Sequence, residues 1–147
     1  MPDREPRTDL VDAFWAVARS LRHASAGRLA GWGLTPSQAR ALGTLVRHGE
    51  MRPGALAAHL RITPRSATEV VDALAGLGLV ERGTDPADRR AVLVRVTDAG
   101  AATARDVRAA RADGAEALFG RLSDADRAEL GRILAVLRAG IDDERRC

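Results

Sequence analysis

Residues 53–96 read PGALAAHLRITPRSATEVVDALAGLGLVERGTDPADRRAVLVRV, and this stretch decides the fold. Leu56, Ala57 and Leu60 fall on one face of a short helix that begins near Pro53. Thr63-Pro64 then gives a second start signal: a hydroxyl N-cap followed by Pro at the first helical position. Ala67, Val70, Val71, Leu74 and Leu77 supply the inward face of that second helix, and Gly76 and Gly78 end it. Two short helices joined by a few residues, the second amphipathic, form a helix-turn-helix pattern.

Directly after it the apolar period changes from helical to two. Leu79 to Arg82 reads as one strand and Ala91 to Val96, rich in β-branched residues, as another. Asp85-Pro86-Ala87-Asp88-Arg89-Arg90 lies between them with turn chemistry, so a hairpin with an exposed basic tip is expected. A helix-turn-helix followed by such a hairpin is a winged helix.

Working outward, Thr35-Pro36-Ser37-Gln38 reads as a capped helix start, and that helix runs to about His48, ended by Gly49. From about Thr8 to Leu29 an earlier helix places Leu10, Phe14, Val17, Leu21 and Leu29 at helical intervals. Thr97-Asp98 caps a long alanine-rich helix to about Phe119. Ser123-Asp124-Ala125-Asp126 caps a last one carrying Leu130, Ile133, Leu134, Leu137 and Ile141. The expected architecture is mainly α with a small β-hairpin wing. It comprises a winged helix-turn-helix lobe over residues 34–96 and a helical dimerisation region over residues 8–30 and 98–141, within a single domain of residues 1–147.

The composition bounds the function. A chain of 147 residues with 46% hydrophobic content supports one core. Its apolar runs fall short of the length a spanning helix needs, and the opening MPDREPRTDL is too charged for a secretory signal, so a soluble cytoplasmic protein is expected. The one cysteine, Cys147, is the last residue, which excludes an internal disulfide and a Cys-based zinc cluster. His23, His48 and His59 are scattered; the last two stand eleven apart, not the i, i+4 spacing that aims two imidazoles at one metal from a single helix. Neither a metal nor another cofactor is expected.

All 23 basic residues are Arg, while Lys, Asn and Tyr are absent, the pattern a GC-rich genome imposes. The pI of about 10.7 therefore permits nucleic acid as a partner without demanding it. From Arg52 to Val96 seven Arg face five acidic residues, a local net charge of +2, so placement rather than total charge must do the binding.

Placement favours DNA. The first turn of the helix after Thr63 would point toward base edges in a major groove, which selects Thr63, Arg65, Ser66 and Thr68, with Arg65 able to make two hydrogen bonds to a guanine. Arg89 and Arg90 at the hairpin tip suit the neighbouring minor groove, where arginine reads width and negative potential. Glu69 and Asp72 put negative charge on the same helix and either accept from cytosine or lie off the phosphate track.

These residues carry a resemblance. LTPSQARAL from Leu34, then RPGALAAHLRITPRSATEVVDALAGLGLVER, then DPADRRAVLVRVTDAG to Gly100 resemble the DNA-binding lobe of the MarR family, and the flanking helices sit where that family has its dimerisation elements. The resemblance implies a homodimeric transcriptional regulator, a repressor, that binds a pseudo-palindromic duplex operator and responds to a small aromatic or phenolic effector. It implies that Arg90 is the wing arginine of the minor groove and that Asp88 holds the wing through an ion pair. Arg61 departs from the family's turn, which often has Gly or another small residue there.

An enzyme is not expected: the chain has no Gly-rich phosphate loop, no nucleophile elbow and no clustered metal ligands. The competing reading is a winged helix used for protein contacts alone. Trp15 and His23 are candidates to line an effector cavity, and the cavity is otherwise unassigned. A thiol switch in the first helix is disfavoured, because no cysteine stands there.

Overall fold

The computed structural model describes residues 6–146, so the cysteine considered above lies outside the described residues. Six helices and one hairpin follow in the order α1 (Pro6–Leu29), α2 (Pro36–His48), α3 (Pro53–Leu60), α4 (Pro64–Gly76), β1 (Val80–Asp85), β2 (Asp88–Val96), α5 (Asp98–Phe119) and α6 (Asp124–Arg146). A single 3-10 turn, Ala30–Trp32, follows α1. The chain divides into two compact units, one up to Arg111 and one from Ala112.

The helix starts follow the local chemistry. At α2 the Thr35 side chain accepts from the Gln38 N–H while the Gln38 side chain accepts from the Thr35 N–H, a complete capping box with Pro36 at the first position. At α4 Thr63 accepts from the Ser66 N–H at 3.1 Å, again ahead of Pro64. Ser123 does the same for the Asp126 N–H of α6.

Leu29, Leu42, Leu45, Leu56, Val71, Leu74 and Val94 are fully buried and draw α1, α2, α3, α4 and β2 around one core. Leu77 was expected on the inward face of α4 but is exposed. The helix ends at Gly76, and Gly78 turns the chain at φ 73°, so that Leu79 instead of Leu77 enters the core; its N–H donates to the Leu74 carbonyl at 3.0 Å.

The hairpin is longer and its turn tighter than the sequence suggests. β1 and β2 pair antiparallel from Val80↔Val96 out to Asp85↔Asp88, with a register irregularity between Thr84 and Asp85. Only Pro86 and Ala87 form the turn, and Asp88, Arg89 and Arg90 already belong to β2. Met51, just ahead of α3, joins β2 as an isolated bridge through Val94, with its N–H donating at 3.2 Å and its carbonyl accepting at 2.9 Å.

Gly100 marks a close approach. A Cβ on it would lie 1.9 Å from the Leu79 carbonyl oxygen and 2.8 Å from Val96 Cγ1. Thr97 completes the junction: its hydroxyl donates to the Gly78 carbonyl and accepts from the Gly100 N–H. In the second unit Arg127 Nη1 donates to Glu116 Oε1 at 2.6 Å, and this guanidinium holds the Glu116 carboxyl below its ordinary value.

Candidate nucleic-acid interface

Helix α4 rests one side on the core through Ala67, Val71 and Leu74, and Thr63, Arg65, Thr68 and Glu69 at its start are turned to solvent. Its N-terminal hydroxyls are largely occupied. Thr63 Oγ1 donates to Ser66 Oγ at 2.9 Å, and Thr68 Oγ1 donates back to the Pro64 carbonyl at 3.1 Å. Among the described residues Arg65 is held only by Glu69, at 3.4 Å, with the arginine side chain 90% exposed. Such a pair is worth a few tenths of a kcal/mol, so it holds Arg65 only weakly.

Asp72 is exposed but not free: it pairs with Arg82 of β1 and links α4 to the root of the wing. The two acids left open by the sequence therefore part company: one tethers Arg65 and the other is a structural link.

At the wing, Arg89 and Arg90 are exposed, and neither has an ion-pair partner among the described residues. Asp88 Oδ1 accepts from the Arg90 backbone N–H at 3.0 Å, an Asx-type contact that fixes the local chain two residues on. The ion pair implied for Asp88 is formed instead by Asp85, whose Oδ2 accepts from Arg52 Nε at 2.9 Å and Nη2 at 2.7 Å while Oδ1 accepts from the Ala87 N–H at 2.9 Å. The Ala87 N–H, followed by the Arg52 guanidinium, pulls the Asp85 carboxyl below its ordinary value. Sequence reading missed both partners. The available signals were an Asp before Pro at the turn, and an Arg at the start of α3 where a short polar cap is usual.

The turn between α3 and α4 departs from the easy conformation. Arg61 adopts φ 55° and ψ 46° and is the one non-glycine residue at positive φ among those described. Arg40 of α2 supports this turn by donating from Nη2 to the Leu60 carbonyl at 3.0 Å.

Two further features concern small ligands. A cavity of about 960 Å³ beside α1 and the start of α2 is lined by Arg19, Arg22, His23, Arg40 and Arg111, among others. Trp15 is not part of that lining; it stands 5.6 Å edge-on from Phe14 with Arg22 over its ring. His48 and His59, eleven apart in sequence, stack at 4.6 Å because the end of α2 meets α3. No third potential metal ligand joins any such pair among the described residues.

A core-backed recognition helix and an arginine-bearing hairpin define a winged helix-turn-helix DNA-binding regulator. The MarR family model matches residues 32–91. An uncharacterized HTH-type transcriptional regulator of Mycobacterium bovis is 39% identical over 127 residues, covering 86% of this chain and 84% of that one. The HTH-type transcriptional repressor MdtR of Bacillus subtilis is 30% identical over 79 residues, covering 54% of this chain and 51% of its own. The fold matches that of a MarR family protein from Bacillus stearothermophilus with a TM-score of 0.85 at 22% identity, across 97% of this chain and 99% of the other. The chain belongs to the MarR family. It is a DNA-binding transcriptional regulator and not an enzyme, and no helix among the described residues is long and apolar enough to cross a membrane.

Proposed function

We propose that this protein is a homodimeric repressor that reads a pseudo-palindromic duplex operator and is modulated by a small aromatic or phenolic effector. The observation that carries the DNA reading is the pair of exposed arginines, Arg89 and Arg90, without carboxylate partners among the described residues, at the tip of a wing tied to the recognition helix. In this reading Arg65 contacts a base edge in the major groove, with Thr63, Ser66 and Thr68 beside it in the first turn. Arg90, and with it Arg89, enters the minor groove. Asp88 orients that arginine through the Arg90 N–H instead of through an ion pair.

The repressor sign is favoured by the likeness to MdtR, which is named a repressor. The dimer is favoured by apolar side chains left in solvent on α1 and α6. The winged lobe of residues 34–96 then serves DNA, and helical residues 8–30 and 98–141 serve pairing. A small aromatic or phenolic effector suits the cavity beside α1, whose lining joins Leu21, Ala26 and Leu29 to several arginines. A regulator of chromosomal DNA works in the cytoplasm.

Selection from a random-sequence duplex pool, followed by titration of the selected duplex at several salt concentrations, tests the reading. Arg65→Ala should weaken binding by about 1–3 kcal/mol and relax preference at one symmetric pair of positions. Arg90→Ala should weaken binding and lower the salt slope by about one. Failure to select any duplex, with no salt-dependent binding, would favour a winged helix used for protein contacts.

A further inference from the structure

We infer that Arg52 and Asp85 form a strut that fixes the outer half of the wing relative to the helix-turn-helix, and that both are positioning residues for the minor-groove contact of Arg89 and Arg90. The inference rests on the DNA reading above and adds the device that aims the wing.

The argument begins at the start of α3. Arg52 occupies the N-cap position but gives no side-chain cap, whereas α2 and α4 open on threonines that do. Arginine is a poor N-cap, so its side chain serves something else. Backbone bonds between Met51 and Val94 set the neighbouring residue against the inner wing. Val94 pairs with Arg82, and Asp85 lies three residues further out along β1, about 10 Å at the rise of a strand. The arginine side chain spans that gap and delivers two N–H donors to one carboxylate oxygen.

Burial makes the arrangement unusual. Asp85 is 8% exposed, the buried charged residue of the described chain, yet it lies beside the turn of a hairpin whose surrounding Thr84, Asp88, Arg89, Arg90 and Val92 are all exposed. A charge is rarely buried without a task, and here three N–H groups hold it, two from Arg52 and one from the turn residue Ala87. Val80 and Val94 anchor the inner wing in the core, whereas residues 84–92 bury no apolar side chain, and a two-stranded ribbon of that kind is marginally stable on its own. The Asp72–Arg82 pair and the Met51 bridge secure the inner wing, and the strut secures the outer wing to α3, which packs against α4. Wing tip and recognition helix are thereby referred to the same element. The Arg52 side chain is half exposed, so the pair adds little to global stability and its effect is local.

Hydrogen exchange on the intact protein reads the strut directly. In Arg52→Met, which keeps the stem and removes the charge, amides of residues 84–92 should exchange about tenfold faster, while those of 80–83 and 93–96 stay unchanged. Affinity for the duplex selected by the wild type should fall about tenfold, as expected if the freed wing holds its binding position a tenth of the time. Because the strut acts through Arg90, Arg52→Met should cost little further affinity once Arg90 is already Ala. Asp85→Asn should behave like Arg52→Met, and Arg52→Lys should restore part of the loss. Should Arg52→Met fail to fold, Arg52→Lys carries the same measurements with smaller changes expected. Unchanged exchange in residues 84–92 would overturn the strut, and fully additive losses with Arg90→Ala would overturn the positioning role. If the wild type selects no duplex, the DNA reading fails and the positioning role falls with it, while the exchange data still decide whether the strut exists.

Discussion

Arg61 carries a backbone strain that its side chain does nothing visible to relieve. An L-residue with a Cβ loses roughly 1–2 kcal/mol in the left-handed region, and Asn tolerates that region better than Arg. The position is nevertheless fixed, because the Arg61 N–H bonds back to the Ala58 carbonyl at 3.3 Å and the Ile62 N–H to the Ala57 carbonyl at 3.1 Å, closing α3 so that α4 can start at Pro64. Arg61→Asn should therefore raise stability by about 0.5–1 kcal/mol, and Arg61→Val, which adds β-branching at positive φ, should lower it by at least about 1 kcal/mol. Urea unfolding of the three proteins checks the order Asn, Arg, Val. A Val variant as stable as the wild type would mean that the turn is not held left-handed in solution.

At the scale of elements, the junction of the wing with α5 depends on the absence of one side chain. Thr97 bonds the Gly78 carbonyl and its own helix start, which presses Gly100 onto the Leu79 carbonyl oxygen, and that oxygen is itself engaged by the Thr97 N–H at 3.1 Å. A Cβ 1.9 Å from a backbone oxygen cannot be absorbed by a rotamer change, so Gly100→Ala must separate β1 from α5. It should cost about 3 kcal/mol or more, seen as a lowered midpoint of thermal unfolding, although Ala improves helix propensity. A midpoint that rises would show that the junction has slack.

The same scale shows what was legible in the sequence. Thr35-Pro36 and Thr63-Pro64 place helix starts correctly because capping is decided within four residues. The wing turn is misjudged because the hairpin buries Val80 and Val94 at its base but no apolar side chain over residues 84–92, so the period of two fades there while the backbone ladder continues to Asp88. Arg52 and Asp85 stay hidden for a different reason: they are 33 residues apart, and no local pattern announces their meeting. Of the residues expected to read bases, Thr63, Arg65 and Thr68 are exposed and Ser66 half-buried, and the hydroxyls of Thr63 and Thr68 are bonded within the helix, which leaves Arg65 as the side chain freest to reach out.

For the whole molecule the decisive fact is apolar surface. Leu10, Val11, Phe14, Trp15 and Val17 of α1 are between 45% and 73% exposed, and Ile133, Leu134, Val136, Leu137 and Ile141 of α6 between 41% and 62%. Stripes of this kind on two helices exceed what a soluble monomer normally leaves in water. A second copy of the chain is the economical cover, since a two-fold axis buries the same stripes twice and sets two recognition helices for successive major grooves. The free protein should therefore scatter light at twice the 15.6 kDa chain mass at micromolar concentration. Leu137→Glu, which drives a charge into the α6 stripe, should shift it toward the single-chain mass. Because one winged helix makes too few contacts for tight specific binding, the same variant should lose the selected duplex while its far-ultraviolet circular dichroism stays helical. A wild type that runs as a clean monomer would remove the two-half-site operator, and a monomeric variant that still held the duplex tightly would show that pairing is not what makes binding strong.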